Sequence, residues 1–525
     1  MRSKLLVMTR YLLNGCFPMP TPTAAGSKAA QSNPAQSKPA QSKPAHATSS
    51  QPWHGAFASP AVEFGPSELR LISGQIPEGL SGTFYQNGTG RLERGGEPVG
   101  HWFDGDGAIL SVSLGGAKAT GTYRYVQTAG YLQEQAADTF LYGNYGRRFP
   151  GPLWAHVSGL MTGKSIKNAA NTSVLALDDK LLALWEAGNP HSLDLETLET
   201  LGQASLGWLK AAQPFSAHPL KDPLSGEIYS IGVDPMCNLS IYRCDANCRL
   251  IRQRKIALKN VPLVHSFVIA GPYLVFLVSP VRVEMLPLLL NQKCYADALR
   301  WAGDGETRLI VVDRESLDVV SDQRTAPWFQ WHFGNGCVDA EGNVRLDFVR
   351  FDDFTRINEV LREVPTGQME SVAHGRLWQL RLNPKTGEVL SNECVVERDC
   401  VFPQVAKSLV GQPWRHTYLL MHREGVEAGD DWFGAVGRFD YETEALVLTE
   451  LDEGCYGSEP LYVADEHDVS RGWLLEVVYN AAEHRSEVWI FDAQSLGDAV
   501  CRMALPTAIP IGFHGTWKET PRSRK

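Results

Sequence analysis

Four of the fourteen histidines in this chain stand in unusual company. His218 lies in PFSAHPL, His265 in VPLVHSFVIAG, His332 in WFQWHFGNG and His514 in IPIGFHGTW. Each is flanked by apolar or aromatic residues and sits inside, or at the end of, a strand-like run. Burying an imidazole costs free energy unless its nitrogens find partners, and a metal ion is one such partner. The intervals of 47, 67 and 182 residues match no local metal motif, so each histidine taken singly reads first as a hydrogen-bonded core residue. A shared metal site needs a fold that brings four distant strand ends to one point. Five of the other ten have plain readings: His46 and His54 fall near the N-terminus, and His422, His467 and His484 in charged, turn-like surroundings.

The elements that must position these residues are strands. From about Glu63 onward, short runs rich in Val, Ile, Leu, Tyr and Trp alternate with turn signals, as in LLALWE (181–186), IYSIGV (228–233), LIVVD (309–313), RLWQLRL (376–382), RHTYLLM (415–421) and SEVWIFD (486–492). A strand, a polar turn and a second strand recur in LRLNPKTGEVLSNECVV, VGRFDYETEALVLTEL and IVVDRESLDVVSD. Helical periodicity is sparse and strongest around 285–301. This texture predicts an all-β fold built by radial repetition, a β-propeller, with two stacked sandwiches as the alternative. Neither a WD nor a kelch signature is present. A propeller directs strands from distant blades at one axis, which is the geometry the four histidines require.

Composition removes other classes. The 525 residues are 43% hydrophobic and 21% charged, ample for a large core without disulfide or metal staples. A net charge of 49 minus 59, or −10, with no block of like charges argues against a nucleic-acid partner. Ten scattered cysteines suggest a reducing compartment; Cys244 and Cys248 form a C-x3-C, but no second Cys/His pair follows at zinc-ribbon spacing. The longest apolar stretch, 267–281, is 15 residues, is broken by Gly271 and Pro272, and is too short to span a bilayer. Residues 1–62 hold no Asp or Glu, and 32–45 repeat a Ser/Pro/Ala/Lys unit, so they read as a disordered or targeting tail ahead of a single domain, 63–525. The opening MRSKLLVMTRYLLNG has the texture of a transit peptide. The expected location is cytoplasmic, with peripheral membrane contact and organellar import left open.

NTSVLALDDKLLALWEAGNPHSLDLETLETLG, FSAHPLKDPLSGEIYSIG, LVHSFVIAGPYLVF, HWFDGDGAIL and IGFHGTW, with EGLSGTFYQNGTGRLERGG opening the body, together resemble the carotenoid cleavage oxygenase family. VQTAGYLQEQ, LALWEAGNPH and HRSEVWIFDAQ are most similar to its bacterial apocarotenoid oxygenases. The resemblance runs from about residue 64 to 519. It implies a seven-bladed β-propeller with a helical and loop cap over its top face. It implies one iron(II) on the axis, held by His218, His265, His332 and His514, where the all-imidazole set alone suits iron, zinc or copper. The implied reaction splits an alkene with O2 into two carbonyl products. Three family glutamates accept the outer imidazole N–H groups. Glu186 in LALWEAGNP and Glu459 in GSEPLYV match two of them, but Val401 in DCVFPQV takes the place of the third. One imidazole must then turn to water, a backbone carbonyl or Asp399. HFGNGCVD and HSF also depart from the family's usual third and second histidine motifs.

Three functions stay in view. The first is an iron(II) dioxygenase acting on a lipophilic apocarotenoid or carotenoid. The second is a stilbene cleaver; such relatives hold a phenol oxygen with a tyrosine and a lysine, for which Tyr131 and either Lys164 or Lys167 lie in plausible segments. The third is a lipid-binding or isomerase-like relative with weakened oxygenase chemistry, suggested by Val401 and the altered third motif. Asp104 and Asp106 in HWFDGDG lack the further acids of a calcium loop and read as a turn. The segment VEMLPLLLNQKCYADALRW (283–301) reads as a packed cap helix or as an apolar patch for membrane contact and substrate entry.

Overall fold

Each strand–turn–strand unit is pinned by one polar side chain at its turn. Strands Arg376–Leu382 and Val389–Val396 pair antiparallel, and between them Asn383 Oδ1 accepts from the amides of Lys385 and Thr386. Asp313 plays the same part for Glu315 and Ser316 after strand Thr307–Asp313, and Asp440 for Glu442 after Ala435–Asp440. Asn and Asp suit such turns because a short polar side chain caps the backbone two or three residues on. The computed structural model describes residues 51–520 except 163, 164, 212, 259 and 260. The transit-peptide-like opening, the repeat at 32–45 and Lys164 lie outside the described residues.

The strands form an all-β, propeller-like arrangement. Among the described residues, six sheets have four or more strands, rather than the seven separate blades expected. The difference arises in an eight-stranded sheet made of two antiparallel meanders, Val268–Ala270 to Val319–Thr325 and Phe329–Val338 to Val389–Val396. A single parallel pairing, Ala270 with Gly336, joins them. A Cβ at Gly336 would come within 2.8 Å of the Ile269 carbonyl oxygen, so only glycine permits the approach. The two ends of the body are knitted into other sheets. The C-terminal strand Gly515–Glu519 pairs with Gly82–Arg91 in the first sheet, and the early strand Arg70–Gly74 pairs with Cys501–Ala504 in the last.

Packing begins ahead of Glu63. Trp53, in the 3-10 turn Pro52–Ala56, is wholly buried with its ring 5.0 Å from that of Trp432. Residues 51–62 therefore belong to the folded body rather than to a disordered tail. The segment 283–301 forms two short helices, Met285–Leu289 and Tyr295–Ala298, followed by strand Leu299–Trp301. It docks on helix Leu153–Thr162, where His156 Nε2 bonds the Leu288 carbonyl, and on the chain ahead of that helix, where Asn291 bonds both backbone groups of Phe149. Leu286, Leu153 and Trp154 remain exposed beside these contacts. Among the described residues, no helix is long and apolar enough to cross a membrane.

HWFDGDG forms a tight turn, as expected. Asp104 accepts from the amides of Gly100 and Gly146. Asp106 lies between Arg94 Nη2 at 2.7 Å and Lys167 Nζ at 2.9 Å, and Lys167 also reaches Glu134 at 2.8 Å. Burial alone would lower the Lys167 ammonium, but Asp106 and Glu134 outweigh it and hold the group above its ordinary range. Removing one partner of such a buried set strands the others, so Lys167→Met is expected to cost about 3–5 kcal/mol of stability, measured by urea unfolding. A change below about 1 kcal/mol, the usual worth of an exposed pair, would show that the cluster is solvated.

Candidate metal centre

Three of the four histidines shortly precede a strand, and the fourth interrupts one. His218 precedes the short strand Leu220–Lys221, its amide bonded to Ser216 Oγ at 2.8 Å. His265 comes three residues before Val268–Ala270. His332 falls where the register of Phe329–Val338 shifts, between Gln330 and Phe333, and such a bulge re-aims a side chain. His514 immediately precedes Gly515–Glu519 and accepts at its carbonyl from the Asn87 amide.

The rings converge. His265 Nε2 is 2.8 Å from His218 Nε2 and 3.2 Å from His332 Nε2. The His514 ring lies 4.4 Å from that of His218 and 4.6 Å from that of His332. One ligand atom from each histidine falls within 4.8 Å of the others. Two nitrogens bound at right angles to one metal, each at about 2.1 Å, would sit about 3.0 Å apart, so the observed spacing fits a common ion. Burial holds the imidazoles of His218, His265 and His332 well below their ordinary pKa, with His514 nearby adding to the effect. A neutral imidazole has a nitrogen lone pair to give, as coordination requires.

Carboxylates anchor two of the rings from behind. Glu186 accepts from His265 Nδ1. Glu459 Oε1 accepts from His514 Nδ1 at 2.8 Å and from Gln404 Nε2 at 2.7 Å, while its Oε2 accepts from the Gly515 amide. Protonation at Nδ1 leaves each Nε2 lone pair turned inward. Among the described residues no carboxylate bonds His332. Asp399, one of the substitutes considered, is instead paired with His374. Next to Val401, the Phe402 ring packs 5.3 Å from His332 and 5.2 Å from His514. Within the third motif, Asn335 ties down a neighbouring loop, donating to the carbonyls of Leu409 and Gln412 and accepting from the Gly411 amide. Gln404 and Phe402 went unnoticed in the sequence, although both lie on the strand Cys400–Gln404 that carries Val401.

Apolar rings cover one side of the cluster. Trp331 stands edge-on to His265 at 4.8 Å, and Phe103 bridges Trp331 and Phe513. Two of the residues that could hold a phenol do something else: Lys167 is committed to Asp106 and Glu134, and Tyr131 stacks on Tyr125 at 5.2 Å. Cys244 and Cys248 are buried free thiols, and burial pushes both up.

Either His265→Ala or His514→Ala is expected to abolish retention of a divalent ion, read by metal analysis after gel filtration. Glu459→Ala, which removes the acceptor behind His514, is expected to weaken cobalt(II) binding about 10–100-fold in a spectrophotometric titration. Normal metal content in both histidine variants would remove the four-histidine centre.

The chain is similar to known proteins over most of its length. Apocarotenoid-15,15'-oxygenase of a Synechocystis species is 30% identical over 486 residues, covering 90% of this chain and 97% of that protein. Resveratrol cleavage oxygenase 1 of Aspergillus fumigatus is 24% identical, covering 89% and 95%. Carotenoid 9,10(9',10')-cleavage dioxygenase 1 of Arabidopsis thaliana is 26% identical, covering 89% and 90%. The crystal structure of cobalt-substituted Synechocystis apocarotenoid oxygenase superposes with a TM-score of 0.82 at 29% identity, over 89% of this chain and 98% of that one. Residues 57–519 match the profile described as retinal pigment epithelial membrane protein. This chain therefore belongs to the retinal pigment epithelial membrane protein family, that of the carotenoid cleavage oxygenases.

Proposed function

We propose that the protein is a non-haem iron(II) dioxygenase that cleaves a C=C bond of an apocarotenoid or carotenoid, adding O2 to give two carbonyl products. The observation that carries this reading is the convergence of four imidazole nitrogens, three of them on rings held neutral by burial. Iron(II) bound by His218, His265, His332 and His514 would supply the activation of O2. The chain's own groups do the rest. Glu186 and Glu459 fix two rings in the tautomer that turns Nε2 inward. Trp331, Phe103 and Phe513 provide an apolar wall against which a polyene packs and from which water is displaced.

Blade count and membrane contact are parts of the same reading. Taking the eight-stranded sheet as two blades that share one pairing gives seven meanders of at least four strands. Exposed Leu153, Trp154 and Leu286, on helical segments that dock together, support peripheral contact with a lipid surface through which a lipophilic substrate enters. A stilbene substrate has less support, because Lys167 is held within an ion cluster.

The test is one incubation of iron(II)-loaded protein with O2, an apocarotenal and a hydroxystilbene, read by mass spectrometry. Paired carbonyl products from the apocarotenal, with the stilbene intact, are expected. Cleavage of the stilbene alone would overturn the substrate class, and cleavage of neither with iron bound would overturn the oxygenase.

A further inference from the structure

A second site stands on the strands after His265. Across three neighbouring strands, Val278 is opposite Arg308, and Arg308 is opposite Arg324. Like charges placed directly across a sheet repel, so this pair costs stability unless something compensates it. Arg282, from the adjoining strand Val281–Val283, joins them at one cavity of about 150 Å³. Glu306 is the one carboxylate among the residues on its wall, and it lies 3.6 Å from Arg324. Asp322 grips Arg308 through both carboxylate oxygens, at 2.7 and 2.6 Å.

Two carboxylates therefore face three guanidinium groups, and Arg282 is the one left over. Among the described residues it forms no ion pair; its Nη1 donates to the Ser279 and Val281 carbonyls at 2.7 and 2.8 Å. Those bonds fix the plane of the fork, and among the described residues its other nitrogens have no hydrogen-bond partner. Burial, and then the nearness of Arg308, lower the Arg282 guanidinium from its ordinary value, as expected of a cation without a counter-ion.

We propose that the pocket of Arg282, Arg308 and Arg324 binds a phosphate-class oxyanion. Guanidinium forks match the geometry of phosphate oxygens, and an anion here supplies the missing negative charge. The same chemistry has two sources. One is free phosphate. The other is a lipid headgroup, since Arg282 lies three residues before Met285–Leu289, where Leu286 is exposed. The site does not depend on the oxygenase reading, because neither its residues nor its test involves the histidines.

Inorganic phosphate is titrated calorimetrically into the full chain and into Arg282→Gln, and both proteins are sedimented with phosphatidylcholine vesicles with and without phosphatidic acid. Saturable phosphate binding, weakened about 10–100-fold in the variant, is the expected result and identifies a free anion. Vesicle binding that needs phosphatidic acid and is lost in Arg282→Gln, without binding of free phosphate, supports the headgroup source. Arg324→Gln, at a more exposed position, serves the same comparison if Arg282→Gln fails to fold by circular dichroism. Binding of neither probe, or equal binding by wild type and the folded variant, overturns the proposal.

Discussion

The whole arrangement depends on holding four imidazoles so that their nitrogen lone pairs face one another at about the spacing of metal ligands. Without a shared ion this is unfavourable, since lone pairs repel and buried polar atoms have given up water. No single loop withstands that tendency. Strands from three sheets do, because each histidine sits at, or within three residues of, a point where a ladder of backbone hydrogen bonds starts or shifts. His514 shows the coupling most directly. It precedes the strand that pairs with Gly82–Arg91, and Glu459 bonds both its ring and the Gly515 amide. Joining the C-terminal strand to the first sheet and placing the fourth histidine are one structural event.

Support around the four rings is uneven, and the unevenness has chemical consequences. His265 and His514 are backed by carboxylates, and that behind His514 is itself steadied by Gln404. His332 is backed by the Phe402 ring, while the neighbouring Val401 side chain offers no hydrogen-bond acceptor. Phe402 has φ of 51°, in the left-handed region, which costs a bulky residue about 1–3 kcal/mol. The strand accepts that strain while placing one ring against two imidazoles. A phenyl ring restrains His332 by contact and adds no negative charge, so an ion here keeps more of its positive charge than one backed by three carboxylates. It also leaves the His332 ring freer to rotate than a hydrogen bond would.

Much of this was legible from residue types. Apolar flanks singled out the four histidines, and period-two runs with Asn or Asp at the turns pointed to the strands and the all-β class. Glu186 and Glu459 came through resemblance, since nothing in their local sequence marks an acceptor for a histidine 79 or 55 residues further along the chain. What stayed hidden was long-range. Trp53 follows a Pro/Ser/Ala tract that reads as tail, yet its partner Trp432 lies 379 residues further along the chain. Lys167 resembled a ligand-holding lysine because its partners Asp106 and Glu134 are 61 and 33 residues distant. The merging of two meanders turns on one glycine, Gly336, whose missing Cβ matters only beside Ile269.

The wall beside His265 bears on selectivity. It consists of the rings of Trp331, Phe103 and Phe513, and among the described residues the buried indole nitrogen of Trp331 has no hydrogen-bond partner. An apolar surface of this kind distinguishes molecules that differ by one methylene only about 10–200-fold. Rings can hold the straight body of a polyene without reading which of its double bonds lies at the histidines. The bond that reacts must therefore be set by where the chain stops, through the shape of the far end or a polar group that meets its terminus. Trp331 then serves placement rather than choice: edge-on to His265, it restrains that imidazole by contact and reads no feature of a polyene's ends.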